Sequence, residues 1–216
     1  SFSRRQRQMC IRDRFKLKKF DLALRSWDDV IKLKPNNAEA YNNKGNILFL
    51  LEKYEAAIEN FKEAIKIKPN YADAYNNLGN PLWKQKKIDE SLLSYKKAIE
   101  INPNHPEAHN NLGMGLHKLK KYETAFQSYE NAIRIKPDYA EAHYNKGNLL
   151  FELEKIDKSL ESYDTAINLN PNYAEAYFNK GIVLHAANVN DEALENFKKV
   201  LNIKPEFENL PGTIIY

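Results

Sequence analysis

The chain has 216 residues, with 33 Lys and Arg against 29 Asp and Glu, 43% hydrophobic residues and one cysteine. A single cysteine excludes a disulfide frame and suits a reducing, cytoplasmic compartment. No apolar run approaches the roughly 18 residues of a membrane span, so membrane insertion is not expected.

From the N-terminus, Arg4 to Asp13 back-translates codon for codon to a transposase adapter used in building sequencing libraries, and Arg14 fits the next codon. Residues 1–14 are therefore expected to be an adapter-derived artefact on a metagenomic fragment, with native sequence from Phe15. Residues 4–14 hold five arginines, one aspartate and Cys10, so 28 charges of each sign remain without them. That neutral balance carries no electrostatic footprint for nucleic acid or anionic membrane.

Next comes a strict 34-residue period. Gly45, Gly79, Gly113, Gly147 and Gly181 keep it, as do Pro35, Pro69, Pro103, Pro137, Pro171 and Pro205. Three further columns recur: Ala40 to Ala176, Leu48 to Leu184, and the aromatics Phe61, Tyr95, Tyr129, Tyr163 and Phe197. The predicted order is a half unit over 15–37, supplying one helix B, then five full units at 38–71, 72–105, 106–139, 140–173 and 174–207. Residues 208–216 lack the landmarks and form a non-repeat tail, with a turn at Pro211-Gly212.

Each unit reads as two helices. In the second, Ala74, Tyr75, Leu78, Gly79 and Leu82 fall at helical spacing for helix A, and Leu92, Tyr95, Ala98 and Ile99 for helix B. Capping boxes are predicted at Asn36/Glu39, Asn70/Asp73, Asn104/Glu107, Asp138/Glu141 and Asn172/Glu175. Lys53, Lys87, Lys121 and Lys155 are expected to close helices A. Glycine inside a helix costs about 1 kcal/mol relative to alanine. Its presence in every unit predicts close approach of helices A and B, with the aromatic filling the space between units. Pro81, inside a helix A, predicts a kink from a lost bond to the Asn77 carbonyl.

The 34-residue unit, aromatic–x–x–[Leu/Lys]–Gly early and [Phe/Tyr]–x–x–Ala late with a closing proline, resembles the tetratricopeptide repeat (TPR) over residues 17–207. The resemblance implies an all-α, right-handed α-solenoid of helix-turn-helix units, whose helices A line a groove that binds a peptide or extended protein segment. It implies no catalytic residues, metal or cofactor.

Two columns of helix A are not demanded by packing. Asn43, Asn77, Asn111, Asn145 and Asn179 precede the glycines by two residues, and Asn46, Asn80 and Asn148 follow them. Asparagine is a mediocre helix former. Its retention has three readings: recent duplication, a structural bond to the neighbouring helix, or a ladder in which each amide matches the N–H and C=O of a bound peptide. Ala74 to Asn80 is similar to the asparagine-ladder repeats of the O-linked N-acetylglucosamine transferases. The resemblance implies peptide contacts along this column. Trp83, Tyr144 and Phe178 are the further groove candidates, Trp83 from a column with Phe49, His117, Phe151 and His185. Chaperone-binding repeats clamp a carboxylate with Lys and Arg, but here those columns carry Glu39, Asp73, Glu107, Glu141 and Glu175, then Asn42, Asn76, Asn110, Tyr144 and Phe178. A carboxylate clamp is therefore not expected.

His105, His109 and His143 form no metal-ligand pattern, and two of them stand where other units have tyrosine. The leading reading is a protein-interaction module. The alternatives are the recruiting arm of a larger enzyme such as a protein glycosyltransferase, and a scaffold assembling end to end through uncapped termini that leave Leu194, Phe197 and Leu201 partly exposed.

Overall fold

The computed structural model describes residues 4–205, with side chains from Lys18 onward. The tail at 208–216 lies outside the described residues, as do the side chains of residues 1–14. The described residues form helices only. They divide into two compact units, residues 1–103 and 104–216. The first holds α1 (Arg4–Leu33), α2 (Ala38–Leu50), α3 (Tyr54–Ile67), α4 (Ala72–Lys84) and α5 (Ile88–Ile101). The second holds α6 (Pro106–Lys118), α7 (Tyr122–Ile135), α8 (Ala140–Glu152), α9 (Ile156–Leu169), α10 (Ala174–Ala186) and α11 (Asn190–Ile203). Within each unit, every helix packs on its neighbours in sequence, and helices A also meet across one intervening helix: α2 with α4, α6 with α8, and α8 with α10.

The glycine column has the packing role that its helix-propensity cost suggests. A Cβ built on Gly45 would lie 2.7 Å from Phe61 Cε1, and one on Gly113 2.7 Å from Tyr129 Cε1. The aromatic thus lies first on the glycine of its own unit. It then reaches forward: Phe61 shares a core with Leu78 and Leu82, and Tyr129 with Leu149. The expected filling between units is only half of its role. Where helix B carries serine in place of the alanine at 57, 125 or 193, the hydroxyl is satisfied by the helix A glycine. Ser91 Oγ donates to the Gly79 carbonyl at 2.8 Å and Ser159 Oγ to that of Gly147 at 2.9 Å.

Ion pairs stitch a helix A to the preceding helix B wherever lysine precedes the glycine. Lys44 meets Asp28 at 2.6 Å, Lys146 meets Glu130 at 2.9 Å and Lys180 meets Asp164 at 2.5 Å. Partly exposed pairs of this kind contribute little each, roughly 0–1 kcal/mol.

Two local expectations are corrected. The N-caps fall one residue later than predicted, at Asn37, Tyr71, His105, Tyr139 and Tyr173. Asn37, Tyr71, Tyr139 and Tyr173 also close the inter-repeat turn with their own N–H, as in Tyr71 to the Lys68 carbonyl at 3.2 Å. Only Asn37 and His105 among the N-caps cap with their side chains. Lys53, Lys87, Lys121 and Lys155 do not close helices A but cap helices B. Pro81 lies within α4, which spans 13 residues like α2 and ends in the same closing turn. Its ring is fully buried, and its missing N–H removes one helix hydrogen bond.

The turn from helix A to helix B was not foreseen. Glu52, Lys86, Lys120, Glu154 and Asn188 adopt left-handed backbone, φ 57–63°. In the first, the Glu52 N–H donates to the Phe49 carbonyl and Lys53 N–H to that of Leu48, a Schellman closure made without glycine. Left-handed backbone costs a side chain-bearing residue about 1–2 kcal/mol. Replacing Lys120 with glycine is therefore expected to stabilise the protein by about 0.5–1 kcal/mol, after the entropy of the freer unfolded chain is deducted. Asn188→Gly should gain less, because asparagine already tolerates this conformation. Urea midpoints at constant m-value check both.

At the C-terminal end of the described repeats, Leu194 is exposed while Phe197 and Leu201 are half-buried, as expected.

Candidate functional site

In the second unit, three helices A converge on a groove of about 720 Å³. Met114, His117 and Lys118 come from α6, Asn145, Asn148, Phe151 and Glu152 from α8, and Asn179 and Ile182 from α10, over a floor of Tyr129 and Tyr163. The helices stand in this order because each glycine lets its helix A settle on the aromatic of its helix B, leaving the opposite face open.

Of the residues singled out from sequence, Asn145, Asn148 and Asn179 line this groove, together with His117 and Phe151 of the aromatic column. Asn43, Asn46, Asn77, Asn80 and Trp83 belong to the first unit. Asn111, Tyr144 and Phe178 are in the second unit but not in the lining. The ring of Tyr144 stacks 5.0 Å from Tyr173 and 6.0 Å from Tyr163, and that of Phe178 lies 5.8 Å from Phe197. Both rings thus pack on aromatics of their own repeats. Sequence reasoning missed Met114, Lys118, Lys120, Glu152 and Ile182. Met114 and Ile182 stand in the column of Asn46, Asn80 and Asn148, and the others in columns of mixed residue type, whereas identity down a column was the signal being read.

The asparagines do bond between helices. Asn77 Nδ2 donates to Asn42 Oδ1 at 3.1 Å, Asn145 Nδ2 to Asn110 Oδ1 at 2.9 Å and Asn179 Nδ2 to the Tyr144 hydroxyl at 3.0 Å. Each partner is 35 residues back, one more than the repeat, because adjacent helices A are offset by one residue at this level. The following column serves the aromatics. Tyr95 donates to Asn80 Oδ1 at 2.9 Å and Tyr163 to Asn148 Oδ1 at 2.7 Å. Asn179 Nδ2 adds a second bond to Asn148 Oδ1 at 2.8 Å. Thus the amides are partly spent on structure. An amide has two donors and one acceptor oxygen, however, and these bonds leave groups over. Among the described residues, no donor reaches Asn145 Oδ1 and no acceptor reaches Asn148 Nδ2.

Burial shifts the titrating groups here. It pushes the hydroxyls of Tyr129, Tyr139, Tyr163 and Tyr173 well above the ordinary phenol range, and that of Tyr95 in the first unit up to about 12. The Glu141 carboxyl is raised first by burial and then by the nearby charge of Glu107, against a lowering bond from Asn110. Glu141 keeps much of its surface area open, so it is the carboxylate end, set against Asn110, that loses solvent. His117 Nε2 lies 3.3 Å from Glu152 Oε1, within ion-pair distance but without hydrogen-bond alignment, and its ring meets Tyr122 edge-on at 6.0 Å.

The other histidines are structural: His105 caps α6, and His143 Nε2 sits 2.9 Å from the Pro137 carbonyl. Among the described residues, no three His, Cys, Asp or Glu side chains converge as metal ligands, and no helix is long and apolar enough to cross a membrane.

The family profile described as TPR repeat matches residues 12–51, 45–86, 79–120, 113–153 and 147–188, and the one described as tetratricopeptide repeat matches 174–207. The chain belongs to the tetratricopeptide repeat family. Solved TPR structures share its fold. YrrB, described as a TPR protein with an unusual peptide-binding site, is 22% identical, with 84% of this chain and 94% of that one covered at a TM-score of 0.61. A thermophilic TPR protein of Thermus thermophilus is 23% identical, covering 79% and 93% at 0.69. PilF of Pseudomonas aeruginosa is 20% identical, covering 80% and 85% at 0.71. No curated protein matches the chain. TPR proteins are interaction modules, and the chain is accordingly a protein-interaction module.

Proposed function

We propose that the groove of the second unit binds an extended peptide segment of a partner protein, read through its backbone by Asn145, Asn148 and Asn179. The observation that carries this is the unspent half of each amide. Asn145 Oδ1 and Asn148 Nδ2 sit one helical turn apart on α8, on a residue pair that lines the groove. Together they offer one acceptor and one donor, the complement of a peptide unit. Packed helices recur at roughly 8–10 Å. Three residues of polyproline II rise about 9 Å at about 3.1 Å each. An extended ligand would therefore bring an equivalent backbone face to successive helices A. Asn43, Asn77 and Asn111 repeat the residue type in the other repeats, with Asn77 Oδ1 accepting from Asn76 Nδ2 at 3.4 Å, and YrrB, of similar fold, is described by its peptide-binding site. Met114, Phe151 and Ile182 supply apolar contact for side chains.

The test is a peptide-library screen on the full chain, followed by calorimetry on the best binder with the triple variant Asn145→Ala, Asn148→Ala, Asn179→Ala. Three net hydrogen bonds at about 0.5–1.5 kcal/mol each predict at least a tenfold loss of affinity. The far-UV circular dichroism should stay helical, with a lower melting temperature because Asn110 and Tyr163 lose partners. Undiminished binding by a folded triple variant would overturn the proposal.

A further inference from the structure

Asn110 is fully buried at the joint between α6 and α8, and its bonds are of unequal kinds. Its Nδ2 donates to Glu141 Oε1 at 3.3 Å and approaches Met114 Sδ at 3.7 Å. Its Oδ1 accepts from Asn145 Nδ2 at 2.9 Å. A carboxylate and a thioether only accept hydrogen bonds, so they admit one orientation of the Asn110 amide. That orientation turns Oδ1 toward α8, where it requires a donor. Asn145 must answer with Nδ2, and its own Oδ1 is what remains for the groove. Glu141 and Asn145 are four residues apart on α8, so they grip Asn110 from successive turns of one helix face.

We infer that Glu141 is a positioning residue: through Asn110 it fixes the Asn145 amide so that the groove presents a hydrogen-bond acceptor at this rung and selects a ligand N–H there. The inference deepens the peptide-binding reading by assigning a polarity to the rung. With Asn145 accepting and Asn148 donating, a bound backbone places an N–H at Asn145 and a C=O at Asn148, which sets the direction in which the peptide lies. Asp73, Asn77 and Asn42 hold the equivalent positions in the first unit, where Asn77 Nδ2 likewise donates to Asn42 Oδ1 but its Oδ1 accepts from Asn76 Nδ2.

The relay makes a prediction about stability that needs no ligand. Asn145→Asp sets a carboxylate oxygen against Asn110 Oδ1 while Glu141 keeps Asn110 from turning, so the melting temperature of the full chain is expected to fall by several degrees. Adding Glu141→Gln supplies a donor, frees Asn110 to rotate and lets its Nδ2 meet the new carboxylate. The double variant is expected to recover at least half of the loss. Glu141→Met removes the same charge without supplying a donor, so with Asn145→Asp it should recover clearly less. Equal recovery by Gln and Met would mean that charge relief explains the rescue, and strictly additive losses would mean that no coupling exists. Either result overturns the relay. Calorimetry with the best library peptide then separates the two readings. The Gln-rescued double variant still shows an oxygen to the groove and should hold the peptide within about threefold of the native chain, whereas loss of that affinity would overturn the assigned polarity. Rescue without any peptide bound would leave the relay standing and the peptide-binding reading refuted.

Discussion

Replacing Tyr163 with alanine is expected to destabilise the protein by about 3–5 kcal/mol, the range for deleting a large buried aromatic side chain. Tyr163 is fully buried, and its ring lies so close to Gly147 that a Cβ there would stand 2.8 Å from Cε1. Its hydroxyl also holds Asn148 at the groove floor. A repeat protein is stabilised by nearest-neighbour contacts, so loss of one joint uncouples the repeats on either side. Urea unfolding followed by circular dichroism should therefore show a broader or split transition as well as a lower midpoint. Tyr163→Phe separates the ring from the hydroxyl. It should cost only about 1 kcal/mol, since one hydrogen bond is lost and Asn179 still serves Asn148 Oδ1. Phe61 and Phe197 fill the same column in other repeats, which supports that ordering.

Gly79→Ala is the second. Its Cβ would lie 2.3 Å from Tyr95 Cε1 and 2.7 Å from Cδ1 and Cζ, the tightest of the five glycine sites. The ring cannot step aside easily, because it is buried and its hydroxyl is tethered to Asn80 at 2.9 Å. Overpacking of this kind costs about 1–3 kcal/mol, against a helix-propensity gain of about 1 kcal/mol. The clash involves the whole ring edge, so a net loss of about 2 kcal/mol is expected, with a smaller one for Gly147→Ala at 2.8 Å. Tyr95→Phe cuts the tether, and the two substitutions together should cost less than their sum. Melting temperatures across that cycle check it. A Gly79→Ala variant more stable than the native chain would show that the ring moves freely.

Much of this was legible because a repeat writes its own alignment. The columns Gly45 to Gly181 and Phe61 to Phe197 are 34 residues apart throughout, and they turn out to touch one another. Periodicity and a glycine kept against its propensity were enough to assign two helices per unit, a close contact between them and the family. The asparagine column was equally visible, but its bonding was not. Whether an amide meets a ligand or a neighbouring helix depends on the stagger of helices A, and the recorded offset of 35 residues is a property of packing rather than of period. The αL turns at Glu52, Lys86, Lys120 and Glu154 were hidden because glycine, their usual marker, is absent. The sequence alone therefore determined the repeat, its two helices and the residues at their joint, all of which follow from local pattern. Tertiary structure decided which half of each amide is spent between helices, because that depends on donors and acceptors brought together from different repeats.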